Sequence, residues 1–233
     1  MSQYYVRPSE IKNGEFVLSL DESYHAICVA RHAIGEEIKI FDGAGNRYIG
    51  EIKSVENQIL KGRIKRSIET NYQSLKITLA FAVISRSAME NLLDYSTQAG
   101  ASFFQPIICE RTQRGFLSKW RKRKRRFEKI VLASAKQSER SFLPVIFDPV
   151  SFEESFCFEG NIYMAFKEGE TTISKPVKEV IKIIIGPEGG FSAGEVDFAR
   201  RKNAVFFSLG RNILKSEIAA PVALSLMHKC SVQ

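Results

Sequence analysis

Two glycine-rich segments in the last third of the chain carry the residue types best suited to hold a small molecule. The first follows an apolar run, Ile181-Lys182-Ile183-Ile184-Ile185, which stops abruptly at Gly186-Pro187-Glu188-Gly189-Gly190-Phe191-Ser192. A buried strand that breaks into glycines and then a helix puts backbone amides and carbonyls at the carboxyl end of a sheet, where α/β folds bind ligands. Glycine lets the backbone approach a ligand closely. Pro187 fixes the turn, and Ser192 with Glu195 three residues on forms a capping box for the next helix. The spacing is neither GxxxxGK[ST] nor GxGxxG, which argues against a nucleoside triphosphate or a dinucleotide pyrophosphate. On spacing alone, a tight turn without a ligand fits as well.

The second segment follows the strand-like Phe206-Phe207-Ser208 and reads Leu209-Gly210-Arg211-Asn212-Ile213-Leu214-Lys215-Ser216-Glu217. Two such loops, each at a strand end, can form the two walls of one pocket, to which Arg211 and Lys215 bring positive charge. Pro221 cannot donate a helical hydrogen bond, so the last helix is predicted to start, or to kink, near Ile218.

A third feature is the run Arg121-Lys122-Arg123-Lys124-Arg125-Arg126, preceded by Arg111, Arg114 and Lys119. Like charges this dense repel one another and are easiest to keep where an anion neutralises them. They read as a phosphate-contacting arm, or as a solvated basic loop and helix start. Phe116, Leu117 and Trp120 beside them leave a membrane surface as a lesser alternative.

These segments must be positioned by a folded scaffold. The 233 residues, 44% hydrophobic and 11% aromatic, suffice for one large or two small packed domains. The net charge of +8 and pI near 9.3 favour a polyanionic partner. Cys28, Cys109, Cys157 and Cys230 form no CxxC pair, so neither a disulfide framework nor a metal site is expected. No stretch approaches the roughly 20 apolar residues of a membrane span, and the first seven residues lack a signal-peptide pattern. A cytoplasmic location is the expectation.

The first seventy residues pattern as short strands at Glu15 to Leu20, Glu37 to Phe41, Arg47 to Val55 and Ile59 to Ile64. A hairpin turn lies at Asp42 to Asn46 and a short helix at Ser23 to His32. This suggests a small barrel. Arg66 to Ser74 is polar and aperiodic and marks a boundary. Beyond it, apolar strands (Leu75 to Ile84, Phe103 to Ile108, Leu143 to Phe147, Ile162 to Phe166, Ile181 to Ile185, Ala204 to Ser208) alternate with helices. The helices are predicted at Ser87 to Gln98, Phe127 to Gln137, Ala193 to Arg201 and Ile218 to His228. That order implies a mostly parallel sheet covered on both faces.

The two glycine segments together resemble the C-terminal motifs of the bacterial 16S ribosomal RNA uracil-N3 methyltransferases, the ribosomal small-subunit methyltransferase E family. Other segments agree in the same order. His25, Arg31, Gly35-Glu36-Glu37 and Phe41-Asp42-Gly43-x-Gly45 are similar to the family's N-terminal domain. Ala99-Gly100, Pro106 and Glu110-Arg111-Thr112 resemble its ELG…P…ERS region, and Gln137-Ser138-Glu139-Arg140 with Pro144 its QSxR…P segment. The resemblance implies an α/β protein with a PUA-like β-barrel over residues 1–70 that binds RNA. It implies a SPOUT domain with a deep trefoil knot over residues 73–233, a homodimer formed through that domain, and S-adenosyl-L-methionine as cofactor. The substrate would be 16S rRNA or the small ribosomal subunit, with no metal and no membrane involved.

Carried over residue by residue, the resemblance places the cofactor on Ile185, Gly186, Pro187, Glu188, Gly189, Gly190, Leu209, Gly210, Ile213 and Leu214. RNA falls to His25, Arg31, Arg111 and Arg211, and, from the charge of the basic run, to Arg121 and Arg123. Methylating uracil N3 requires its weakly acidic proton to leave and the anionic ring to be stabilised. Arg7, Arg31, Arg211 and Lys215 are the candidate cations and Glu217 the candidate proton acceptor, although a structural hydrogen bond to backbone is the blander role for Glu217. Glu188 is expected to cap backbone amides, and His25 to pack or touch RNA. Gln98, Lys136, Lys215, Ser216 and Ile218 depart from the family's usual residues. Two other readings stand beside the first: a ribose 2′-O methyltransferase of the same superfamily, and a non-catalytic RNA-binding assembly factor with a decayed site.

Overall fold

The computed structural model describes residues 3–69, 75–112, 120–170 and 179–232. The chain divides into two units. One is Met1–Tyr72 with Leu132–Leu143, and the other is Gln73–Val131 with Pro144–Gln233. Arg114, Phe116, Leu117 and Lys119 lie outside the described residues.

The first unit is a six-stranded half-barrel. Its strands are β1 (Tyr4–Tyr5), β2 (Ile11–Lys12), β3 (Glu15–Val17), β4 (Glu37–Phe41), β5 (Arg47–Glu56) and β6 (Ile59–Ile68), in the order β1-β4-β5-β6-β3-β2. Alternation along β4 buries Ile38 and Ile40 with Tyr4, Phe16, Leu18, Ile52 and Leu60 in one core. Arg66 and Ser67, read from sequence as part of a boundary, complete β6 by pairing with Ile49 and Tyr48.

The helix of this unit begins earlier than its periodicity suggests. α1 (Leu20–Tyr24) is capped by Ser19, whose Oγ accepts the Glu22 amide at 3.3 Å, and a single π-turn, His25–Val29, continues it. Ser19-Leu20-Asp21-Glu22 is an S-x-x-E start that apolar spacing alone does not reveal. Arg31, with φ of 60°, ends the turn.

Leu132–Leu143 packs on the half-barrel through the Asp42-Gly43-Ala44-Gly45 turn. The Leu143 amide donates to the Gly43 carbonyl at 3.0 Å and the Gly45 amide to the Ser141 carbonyl at 3.2 Å. Glu139 accepts from both Lys39 and Arg47 at 2.7 Å. A Cβ on Gly45, whose φ is 115°, would lie 2.6 Å from the Phe142 ring, so no larger residue fits there.

The second unit is built on one parallel sheet in the order β10-β8-β7-β12-β11-β13, with β9 beside β8. The strands are β7 (Lys76–Ala82), β8 (Phe103–Ile108), β9 (Val145–Ile146), β10 (Val150–Ser151), β11 (Asn161–Glu170), β12 (Val180–Ile185) and β13 (Val205–Phe207). Central β7 and β12 are paired in register from Lys76↔Val180 to Phe81↔Ile185 and are buried on both faces, hence their largely apolar sequence. Lys182 interrupts that run. Its ammonium donates to the Ser155 carbonyl at 2.6 Å and lies 4.6 Å from the Phe158 ring centre, and burial lowers its pKa to about 8.

The helices of this unit are α2 (Arg86–Gln98), α3 (Trp120–Gln137), whose C-terminal end belongs to the first unit, α4 (Ala193–Arg201) and α5 (Ser216–Val232). Two helix starts correct the sequence reading. α3 begins at Trp120 rather than Phe127, so the six-cation run is helix and not a loop. α5 begins at Ser216 rather than Ile218 and contains Pro221. The Lys215 carbonyl accepts the Ile218 and Ala219 amides at 2.9 and 2.8 Å, which closes the first turn before the proline is reached. No described helix is long and apolar enough to cross a membrane.

Candidate functional site

Because β11, β12 and β13 are adjacent and parallel, their carboxyl ends open at the same edge. A cavity of about 360 Å³ sits there, within the size range of small-molecule sites. Its walls are Ala165 to Lys167 of β11, the segment from Ile185 to Phe191, and the loop from Ser208 to Ser216. All ten residues assigned from the resemblance to the cofactor lie on these walls: Ile185, Gly186, Pro187, Glu188, Gly189, Gly190, Leu209, Gly210, Ile213 and Leu214.

Local hydrogen bonds fix the first loop. The Gly190 amide donates to the Pro187 carbonyl at 2.9 Å, closing a turn, and Arg111 donates to the Gly189 carbonyl at 2.7 Å. The capping box is present. Ser192 Oγ accepts the Glu195 amide at 3.3 Å and Glu195 Oε2 the Ser192 amide at 2.8 Å. The other carboxylate oxygen of Glu195 takes the Glu110 amide at 2.8 Å, tying β8's exit to the same loop. Gly186 must be glycine for a steric reason, since a Cβ there would stand 2.8 Å from the Phe191 ring.

The second loop is fixed from within and from across the cavity. Ser208 Oγ accepts the Gly210 amide at 3.3 Å. Ser216, the first residue of α5, donates its hydroxyl to the Gly186 carbonyl at 2.8 Å and so joins the two loops. The lining is mostly apolar, with Ile185, Phe166, Leu209, Ile213, Leu214 and Ala219 among its residues. Ile213 is 82% exposed.

The remaining candidates fall in several places. Glu217 lies on α5's first turn, next in sequence to the cavity residue Ser216. Its Oε2 is buried and accepts no hydrogen bond, so that oxygen does not make the expected bond to backbone. Lys215 and Arg211 are exposed and do not line the cavity. Arg7, His25 and Arg31 belong to the first unit. Arg7 and Arg31 are exposed there, while His25 packs edge-on against Tyr4 with ring centres 5.7 Å apart and Nδ1 buried without a partner. Arg121 and Arg123 are on α3. Arg121, Lys122 and Arg125 are exposed, Lys124 pairs with Asp148 at 2.8 Å, and Arg126 pairs with Glu90 at 2.5 Å.

Sequence reasoning missed the third wall, Ala165, Phe166 and Lys167. No local signal marks it, because its place beside the glycine loop follows from β11 pairing with β12. Among the described residues no group of three or more His, Cys, Asp or Glu side chains could hold a metal ion.

The RNA methyltransferase domain family matches residues 71–228, about two thirds of the chain. The chain belongs to that family. Its likeness to the ribosomal RNA small subunit methyltransferases E runs nearly end to end. The Rickettsia conorii protein of that name is 27% identical, over 96% of this chain and 93% of its own. The Bacillus subtilis protein is 26% identical, over 97% and 95%. A crystal structure of the Neisseria gonorrhoeae ribosomal RNA small subunit methyltransferase E, bound to S-adenosyl methionine, superposes with a TM-score of 0.90. It is 25% identical and covers 99% of this chain and 98% of that one.

Proposed function

We propose that this protein transfers a methyl group from S-adenosyl-L-methionine to N3 of a uracil in the 16S rRNA of the small ribosomal subunit. The observation that carries the reading is the convergence of both glycine loops on one cavity at the carboxyl ends of β11, β12 and β13. The residues present suit the cofactor. An apolar lining accommodates an adenine ring, glycine backbone comes close, and Lys167 and Glu188 offer one charge of each sign to an amino-acid moiety. When bound, the cofactor supplies an electrophilic methyl group.

The chain's own residues then have separate tasks. The Gly186 to Gly190 and Leu209 to Leu214 loops fix the ligand, which is where positioning lowers the barrier to an in-line attack. Lys215 supplies positive charge that favours a deprotonated uracil. Glu217, whose Oε2 has no hydrogen bond to give up, is the proton acceptor. The first unit is read as a PUA-like RNA-binding domain and the second as a knotted SPOUT domain that pairs as a homodimer, in the cytoplasm. His25, Arg31, Arg111 and Arg211 contact RNA together with Arg121 and Arg123 on α3.

The basic start of α3 supports an RNA partner. No acidic residue lies in its first turn, and Arg121/Arg125 and Lys122/Arg126 are like-charged i,i+4 pairs. Both features disfavour the helix on its own, and phosphate relieves both.

The test is nucleoside analysis of small subunits from a strain deleted for this gene, after incubation with purified protein and the methyl donor. The expected product is 3-methyluridine. A 2′-O-methylated nucleoside would replace the base reading with the ribose one. No methylation, with no binding of the donor, would leave an RNA-binding assembly factor.

A further inference from the structure

We infer that Lys167 is the anion subsite of the cavity and binds the carboxylate of the ligand's amino-acid moiety. This rests on the reading of the cavity as a site for S-adenosyl-L-methionine.

The lining carries two charged residues among the described ones, Lys167 and Glu188, and they stand on different walls. Lys167 stands on β11 three residues before its carboxyl end, and Glu188 in the turn after β12. The ligand carries a sulfonium, an ammonium and a carboxylate. The carboxylate is repelled by Glu188, whereas the two cationic groups are attracted to it. Lys167 offers the one ammonium among the described lining residues, and Arg211 and Lys215 lie outside the lining. The other polar side chains of the walls, Ser208, Asn212 and Ser216, are neutral, and the Ser208 and Ser216 hydroxyls already donate to the Gly210 and Gly186 carbonyls. The charge pattern therefore sets the ligand's direction in the cavity, with the carboxylate toward β11 and the cationic groups toward the glycine turn.

Lys167 is exposed, so its replacement perturbs little else. The experiment is calorimetry of the full-length protein and its Lys167→Met variant with two ligands, S-adenosyl-L-methionine and its decarboxylated analogue. The analogue keeps the adenosine, sulfonium and amine and lacks only the carboxylate. The wild-type protein is expected to prefer the complete ligand. Lys167→Met is expected to weaken the complete ligand by about tenfold, on the order of one charge-assisted hydrogen bond, and to leave the analogue unchanged, so that the preference disappears. Equal loss for both ligands, or no loss for either, overturns the assignment of Lys167 while leaving the cavity reading intact. Failure of the wild-type protein to bind either ligand overturns the cavity reading and this assignment with it.

Discussion

Ser216 and Gly186 are thirty residues apart in sequence and 2.8 Å apart in space, hydroxyl to carbonyl. That bond ties the two glycine loops together directly, and Ser216 is only 5% exposed, so water does not replace it readily. Ser216→Ala is expected to cost about 1–2 kcal/mol of stability and to weaken donor binding several-fold. Ser216→Thr, which keeps the hydroxyl, is expected to behave as wild type. Denaturant unfolding and calorimetry of both variants decide this. Equal behaviour of the alanine and threonine variants would show that the bond does not hold the loops together.

The close approach of Phe191 to Gly186 gives a second expectation. Gly186→Ala places a methyl group 2.8 Å from a ring that is packed in the core with Phe152. Either the ring or the loop must move, and overpacking of this kind costs about 1–3 kcal/mol. Where the loop yields, donor affinity is expected to fall by more than stability does. A variant with a lowered unfolding midpoint and undiminished affinity would show that the ring had yielded instead.

Lys136 is one of the positions where the sequence reading expects another residue. In the structure its ammonium lies 2.8 and 2.9 Å from the two carboxylate oxygens of Glu22, with side chains 13% and 8% exposed. Lys136 thus has a structural partner 114 residues away in sequence. Lys136→Met leaves the Glu22 carboxylate buried and without its cation, which is expected to cost about 3 kcal/mol. Adding Glu22→Gln should recover much of that cost. A double-mutant cycle with no coupling between the two positions would rule the pair out as a stabilising interaction.

The elements legible in the sequence are those whose signals are local. β12 and α4 can be read at nearly their observed ends because a nearly continuous apolar run and the Ser192/Glu195 capping box are both written within a few residues. The two glycine loops are legible for the same reason. What escapes depends on partners far along the chain. Leu132–Leu143 associates with the half-barrel through Glu139 with Lys39 and Arg47, about a hundred residues away. Lys167 joins the cavity only because β11 lies next to β12. The early start of α3 is hidden because a row of cations at a helix N-terminus contradicts the helix dipole.

Acid should expose the interaction between α2 and α3. Arg126 and then Arg86 hydrogen-bond the Glu90 carboxylate and lower its pKa from 4.5 to about 2, against an opposing effect of burial. The folded pKa is depressed, so this contribution is present above about pH 4.5 and disappears as pH falls toward 2. Glu90→Gln is expected to flatten the dependence of stability on pH across that window. Unfolding curves measured at a series of acid pH values check this. A variant with the wild-type acid profile would show that Glu90 does not supply the acid sensitivity.

The same helix separates paired cations from exposed ones. Arg126 is engaged by Glu90 and Lys124 by Asp148, whereas Arg121, Lys122 and Arg125 are exposed. Replacing those three by alanine removes like-charge repulsion from the start of α3, so stability is expected to hold or rise slightly. If they engage phosphate, affinity for rRNA falls, and the slope of log K against log salt drops by roughly 0.7–0.9 for each phosphate no longer neutralised. Arg126→Ala is expected to do the reverse, lowering stability through Glu90 while changing the salt slope little. Binding isotherms at several salt concentrations, with unfolding curves for both variants, distinguish the two roles. An unchanged slope in the triple variant would make the basic run a solvated helix face and move RNA recognition elsewhere on the protein.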